Sequence, residues 1–285
     1  MEIKKARTAG FCFGVRRAIE MVDAALEDKS TPLYSLGPLI HNPGVVQRLK
    51  SRGLGLVRSI GEVPHGRVVI RSHGAGPDVY REAAARGLTL TDATCPFVKN
   101  VQQLAISLRD EGYQVIIYGQ AEHAEVQGVL DSIAGQALVV DDFRKLDTAM
   151  IRARIQPKVG MLSQTTQEIS GFGRLVTELI PLTKELRVFN TICLATSERQ
   201  AEAAELSRQV DLMVVVGGRN SANTSRLTEI SRKNCSRVFQ VEEAAELNPQ
   251  WLAGVEKIGV TAGASTPDEQ IQEVIAQIEF LGGKC

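Results

Sequence analysis

Residues 95–119 read CPFVKNVQQLAISLRDEGYQVIIYG: a cysteine, a helical run, a glycine stop, a short β-branched strand and a closing glycine. That order is one turn of an α/β unit. It occurs three times. From Cys12 the chain passes through VRRAIEMVDAALED to LYSLG, and from Cys193 through TSERQAEAAELSRQ to DLMVVVG, so the three strands end at Gly37, Gly119 and Gly217. A polar residue follows each strand, and His41, His123 and Ser221 stand 29, 28 and 28 residues after Cys12, Cys95 and Cys193. A second strand in each segment (IRSHG, MLSQTT, VTAGAST) runs to His73, Thr165 and Ser265, at offsets of 61, 70 and 72 residues from the same cysteines. Offsets that agree this closely predict an internal triplication of one α/β unit.

The rest of the chain fits that unit. Runs such as VVIRS, ALVV, LRVFN, RVFQV and KIGVTAG alternate with helical stretches, which is the pattern of parallel sheets covered by helices. The fold class expected is α/β, with three similar units of mainly parallel sheet. The first two units end in a strand that runs into a cysteine turn, TLTDATC and LRVFNTIC, but the third ends in the helix EQIQEVIAQIEFLGG. Its missing strand is sought at the start of the chain, in IKKART. The expected boundaries are 12–95, 96–193, and 194–281 completed by the N-terminal strand 1–11.

Composition narrows the function. Lys plus Arg and Asp plus Glu are equal at 33 each among 285 residues, so no basic field points to nucleic acid. Every apolar run is broken before it could span a bilayer, and the N-terminus lacks the apolar core of a secretory signal. A cytoplasmic protein with no membrane insertion is expected. Five widely spaced cysteines suit thiols or metal ligands better than a disulfide framework.

Cys12, Cys95 and Cys193 occupy equivalent turns at the carboxyl ends of strands, where ligands of parallel α/β sheets collect. Three thiolates suit either a zinc site with a fourth ligand or an iron–sulfur cluster with one iron left open, and their spacing does not choose. Cys235 has no counterpart in the other units and Cys285 is the final residue, so neither is expected to be a ligand. His65 reads as a turn residue between strands. His41, His73 and His123 follow strands of the repeat, and with Ser221, Asn223 and Ser265 they supply donors for a polyanion. Glu125, two residues past His123, suits either a carboxylate at a helix start or a proton carrier whose pKa is raised by burial. Thr165 is a weaker candidate, because threonines in MLSQTTQE also suit a helix cap. No phosphate-loop, dinucleotide, nucleophile-elbow or zinc-helix motif is present.

AGFCFGVRRAI at Cys12, HNPGVV at His41, SHG at His73, DATCPFV at Cys95, the HAEV turn, SQTTQ, the Cys193 segment, NSANTSRL and TAGASTPD occur in that order along nearly the whole chain. In this the chain resembles the LytB/IspH family of 4-hydroxy-3-methylbut-2-enyl diphosphate reductases. The resemblance implies three α/β units around a central iron–sulfur site, a [4Fe-4S] cluster on Cys12, Cys95 and Cys193 with one iron not bound by cysteine. It implies that His41, His73, His123, Ser221, Asn223 and Ser265 hold the diphosphate of an allylic substrate. Glu125 corresponds to the proton-relaying carboxylate and Thr165 to a hydroxyl beside the substrate alcohol, while an external ferredoxin or flavodoxin would donate electrons. Two positions depart from the family pattern: Ala124 stands where proline is common, and Ala222 where a serine is frequent.

Overall fold

The structure is a computed structural model that describes residues 1–142 and 152–283; Cys285 lies outside them. The described strands are β1 (Glu2–Lys5), β2 (Leu33–Leu36), β3 (Leu54–Val57), β4 (Arg67–Ile70), β5 (Thr89–Asp92), β6 (Gln114–Tyr118), β7 (Ala137–Val140), β8 (Lys158–Ser163), β9 (Glu185–Val188), β10 (Leu212–Val216), β11 (Val238–Val241) and β12 (Lys257–Ala262). The described α-helices are α1 (Phe13–Glu27), α2 (Pro43–Ser51), α3 (Pro77–Ala85), α4 (Pro96–Asp110), α5 (Ala124–Ser132), α6 (Ile169–Leu179), α7 (Leu194–Ser207), α8 (Ala222–Arg232) and α9 (Asp268–Gly282).

The strands form three four-stranded sheets, ordered β1-β12-β10-β11, β3-β2-β4-β5 and β7-β6-β8-β9, and every pairing is parallel. Read from the same end, the sheets share one plan: β1, β5 and β9 are edge strands, each followed by a cysteine, and β12, β4 and β8 lie next to them. This is the triplicated α/β architecture. By contacts the chain forms two compact units, one of Met1–Arg16, Ile40–Gln47 and Leu194–Cys285, the other of Arg17–Leu39 and Arg48–Cys193. The first contains the β1-β12-β10-β11 sheet, and the second contains the other two sheets.

Both faces of each inner strand are covered, which is why DLMVVVG reads as a continuous apolar run rather than an alternating one. Leu212, Val214 and Val216 of β10 pack with Ile271, Val274 and Ile278 of α9. Met213 and Val215 turn to the opposite face, against Ala203 and Leu206 of α7 and Leu227 of α8. In the second unit Val115 and Ile117 of β6 meet α4 and α5, and Ile116 and Tyr118 meet Phe172, Leu175 and Leu179 of α6. Glycine lets a helix sit close to the sheet at equivalent places: a Cβ on Gly160 would lie 2.4 Å from Leu108, and one on Gly259 would lie 2.4 Å from Met213 and 3.0 Å from Leu206. Among the described residues no helix is long and apolar enough to cross a membrane.

β1 pairs along β12 from Glu2↔Lys257 to Lys5↔Val260, and the Ala6 N–H donates to the Val260 carbonyl at 2.8 Å. Deleting residues 1–8 removes this ladder and turns β12 into an exposed edge. Amide exchange measured on the truncated protein is expected to accelerate over 257–262 and, through β12, over 212–216. Unchanged protection there would contradict a structural role for the N-terminal strand.

Candidate active site

Each candidate ligand, substrate or proton-relay residue lies in a loop past the carboxyl end of a strand or in the helix turn that follows, where loops and helix N-termini offer donors. Cys12, Cys95 and Cys193 follow β1, β5 and β9 and directly precede α1, α4 and α7. Their backbones are anchored alike. The N–H of Cys12 donates to Ala264 O (3.1 Å), that of Cys95 to Ser72 O (3.0 Å) and that of Cys193 to Thr165 O (3.1 Å). Each acceptor is two residues past the end of the neighbouring strand, β12, β4 and β8. The thiols of all three are half-buried. Cys235 differs: it is buried, with its Sγ within 3.3–3.8 Å of the carbonyls of Val210, Asp211 and Arg237, in the place of a small core residue.

In the second unit, the turns after β4, β6 and β8 bring four of the candidates together. His123 caps α5 by accepting the Glu125 N–H at Nδ1 (3.2 Å). The rings of His73 and His123 meet edge to face with centroids 5.6 Å apart. Glu125 lies in the first turn of α5, yet its carboxylate turns away from its own helix. It is 2% exposed, and its oxygens accept both the N–H and the Oγ1–H of Thr165, each at 2.7 Å. Burial raises its pKa from 4.5 to about 7, against the lowering effect of the two Thr165 bonds. Thr165 caps nothing: the residue before α6 is Glu168, which makes no side-chain cap bond.

The folded-state pKa of Glu125 exceeds its ordinary value, so the folded chain holds a proton that the unfolded chain has lost between pH 4.5 and about 7. The stabilising contribution is complete below pH 4.5 and is lost as pH rises through about 7. A Glu125→Gln variant is expected to show a shallower fall in stability across that window, as measured by urea unfolding at a series of pH values. An unchanged slope would exclude titration of Glu125 there.

Two supporting residues escaped the sequence reading. Thr191 clasps the end of β8, its Oγ1 accepting the Ser163 N–H (2.8 Å) and donating to Ser163 O (2.5 Å). Gln164 accepts the Gln120 N–H at Oε1 (3.0 Å) and donates to Thr166 (2.8 Å), tying the turn of Thr165 to the turn before His123. The only sequence signal for either is its position, two residues before Cys193 or one before Thr165.

In the first unit, Ser265 Oγ donates to His41 O at 3.0 Å, and Asn42 Nδ2 donates to Gln270 Oε1 at 2.9 Å. These bonds fix the His41 turn beside the loop after β12. Ser221 caps α8 by accepting the Thr224 N–H (3.3 Å), which makes Ala222 the first helical residue; Ala124 holds the same place in α5. The first helical position suits proline but does not require it, and both departures from the family pattern leave helix geometry intact. Asn223 is 4% exposed, and among the described residues neither its Nδ2 nor its Oδ1 has a hydrogen-bond partner. A buried amide with no partner costs stability, and such a group in a native fold is commonly completed by a ligand or water.

A family model described as LytB protein matches residues 3–279. The 4-hydroxy-3-methylbut-2-enyl diphosphate reductase of Geobacter metallireducens is 45% identical over 281 residues, covering 99% of this chain and 98% of its own. The enzyme of the same description from Pelobacter propionicus is 45% identical over 288 residues and covers both chains fully. Among solved structures, (E)-4-hydroxy-3-methyl-but-2-enyl diphosphate reductase, the terminal enzyme of the non-mevalonate pathway, matches with a TM-score of 0.71 at 39% identity, over 98% of this chain and 100% of its own. The corresponding reductase from Plasmodium falciparum matches with a TM-score of 0.89 at 27% identity, over 97% of this chain and 87% of its own. With the family model spanning nearly the whole sequence and relatives this similar end to end, the chain belongs to the LytB family.

Proposed function

We propose that the chain is an oxidoreductase that converts 4-hydroxy-3-methylbut-2-enyl diphosphate to isopentenyl diphosphate and dimethylallyl diphosphate. The reaction replaces an allylic C–O bond by C–H, consuming two electrons and two protons and releasing water. The observation that carries the reading is Glu125, a buried carboxyl group with its pKa near 7 and a threonine hydroxyl 2.7 Å away. A noncatalytic redox sensor has no need of such a proton carrier.

Cys12, Cys95 and Cys193 would hold a [4Fe-4S] cluster with one iron not bound by cysteine. Three half-buried thiols with identically anchored backbones suit its soft donor requirement. When bound, the cluster supplies electrons one at a time and a Lewis acid for the alcohol. The protein's own groups do the rest. His41, His73, His123, Ser221, Asn223 and Ser265 would hold the diphosphate; the incomplete hydrogen bonding of Asn223 supports this. Gripping a remote group turns binding energy into alignment at the reacting carbon. On protonation Glu125 Oε2 changes from acceptor to donor, so that it donates to Thr165 Oγ1 and the threonine hydrogen is released toward the leaving oxygen. Reprotonation of the allylic system at either end gives the two products.

The electron donor would be an external ferredoxin or flavodoxin, the compartment the cytoplasm, and no nucleic acid or membrane takes part. The three repeats would run over 12–95, 96–193, and 194–281 with 1–11, a division supported by the equivalent anchoring of the three cysteines. The test is the pH dependence of anaerobic turnover with an artificial reductant. The rate is expected to fall as pH rises through about 7, where Glu125 loses its proton. Thr165→Val is expected to lower the rate by about 10-fold or more with substrate affinity little changed. A flat profile together with a normal Thr165→Val rate would overturn the relay.

A further inference from the structure

We propose that a pocket in the second unit, separate from the residues assigned to the diphosphate, binds a phosphate-type dianion through Arg71 and Arg58. The pocket has a volume of about 170 Å³ and is lined by Arg58, Arg71, Gly74, Gly76, Gln127 and Asp131, among others. Gly74 directly follows His73, and Ala124, also in the lining, directly follows His123.

Arg71 is the anomaly. Among the described residues its Nε is buried with no acceptor, and burial alone lowers its pKa from the usual arginine value. Its charge persists, because a guanidinium does not deprotonate in proteins. Arg67, four residues earlier, is half-buried too and its Nε likewise lacks an acceptor among the described residues, but its Nη groups donate to the carbonyls of Ala25, Asp28 and Thr31 and pair with the Asp28 carboxylate. Among the described residues neither Arg71 nor Arg58 has an ion-pair partner. Space is kept for the guanidinium by Gly37, at φ +75°, where a Cβ would come within 2.9 Å of Arg71 Nη1. Asp131 is the acidic group in the lining. It is exposed, and burial followed by the charge of Asp78 raises its pKa, while Asp78 itself pairs with Arg81. Two guanidinium groups and one carboxylate therefore line a cleft with room for phosphate. A buried guanidinium N–H without an acceptor is costly, and a bidentate anion meets that need.

The test is calorimetric titration of the holoenzyme with inorganic phosphate against sodium chloride of equal ionic strength. It is run with and without saturating diphosphate substrate, in the absence of reductant. One saturable site that persists under saturating substrate is expected. Arg71→Met is expected to weaken it at least about 10-fold, with Arg71→Lys intermediate. Arg58 is exposed and makes no side-chain contact on which folding depends, so Arg58→Met, expected to weaken binding about 3-fold or more, serves if Arg71→Met fails to fold. No saturable uptake up to about 10 mM phosphate, or equal affinity in wild type and Arg58→Met and Arg71→Met, would overturn the proposal. Competition by the substrate would overturn it too, by assigning the phosphate to the diphosphate residues. Because turnover reports the diphosphate site and this titration reports Arg71, failure of one reading leaves the other standing.

Discussion

Serine in place of Cys12, Cys95 or Cys193 is expected to strip the chain of most of its iron and sulfide and to lower turnover at least about 10³-fold. Removing merely an outer hydrogen-bond partner of a metal ligand already costs about 10- to 100-fold, so loss of a ligand stands beyond that range. Folding is expected to survive. Each side chain is half-buried at a helix start, and its backbone anchor to Ala264, Ser72 or Thr165 does not involve the sulfur. Cys235→Ser is the internal control: its sulfur lies among the carbonyls of Val210, Asp211 and Arg237, which a serine hydroxyl can equally approach, so cluster content and turnover are expected to stay normal. Iron and sulfide assays on the four variants decide the matter, and a full cluster with normal turnover in any of the first three would remove that cysteine from the ligand set.

Glu125→Gln is expected to retain the cluster and bind the diphosphate substrate while losing about 10² to 10⁴ in rate, roughly 3 to 5 kcal/mol of transition-state stabilisation. Glutamine keeps the length of the side chain, and its amide oxygen can still accept the Thr165 N–H that the carboxylate now accepts at 2.7 Å. It has no acidic proton to give. A carboxylate placed to favour its helix dipole would behave otherwise, costing about 0.3 to 1 kcal/mol of stability and leaving the chemistry intact. Anaerobic single-turnover rates separate the two, and a near-normal rate would end the proton-relay assignment.

The architecture was legible because parallel sheets oblige a chain to repeat itself. Cysteine, helix, strand and polar turn recur at nearly constant offsets, and the strand missing from the third repeat pointed to residues 2–5, which pair with β12. What lay beyond reach were contacts set by strand register. Glu125 and Thr165 stand 40 residues apart, and only the β6·β8 pairing, Tyr118↔Ser163, brings their turns into hydrogen-bond distance. Thr191 and Gln164 were missed for the same reason, since their partners lie on other loops. Arg71 follows VVI as an ordinary strand-end cation, and nothing in that string tells that its Nε is buried with no acceptor among the described residues. The choice between zinc and iron–sulfur could not come from spacing either, because ligands supplied by separate repeats share no local signature. It came from the resemblance of many short turns taken together.

The most direct test is anaerobic purification followed by iron, sulfide and zinc determination on the same preparation that is assayed for conversion of the allylic diphosphate with an artificial reductant. The expected result is about four iron and four sulfide per chain, as a [4Fe-4S] cluster requires, negligible zinc, and formation of isopentenyl and dimethylallyl diphosphates. Stoichiometric zinc without sulfide, or a complete cluster that leaves the diphosphate unconverted, would contradict it.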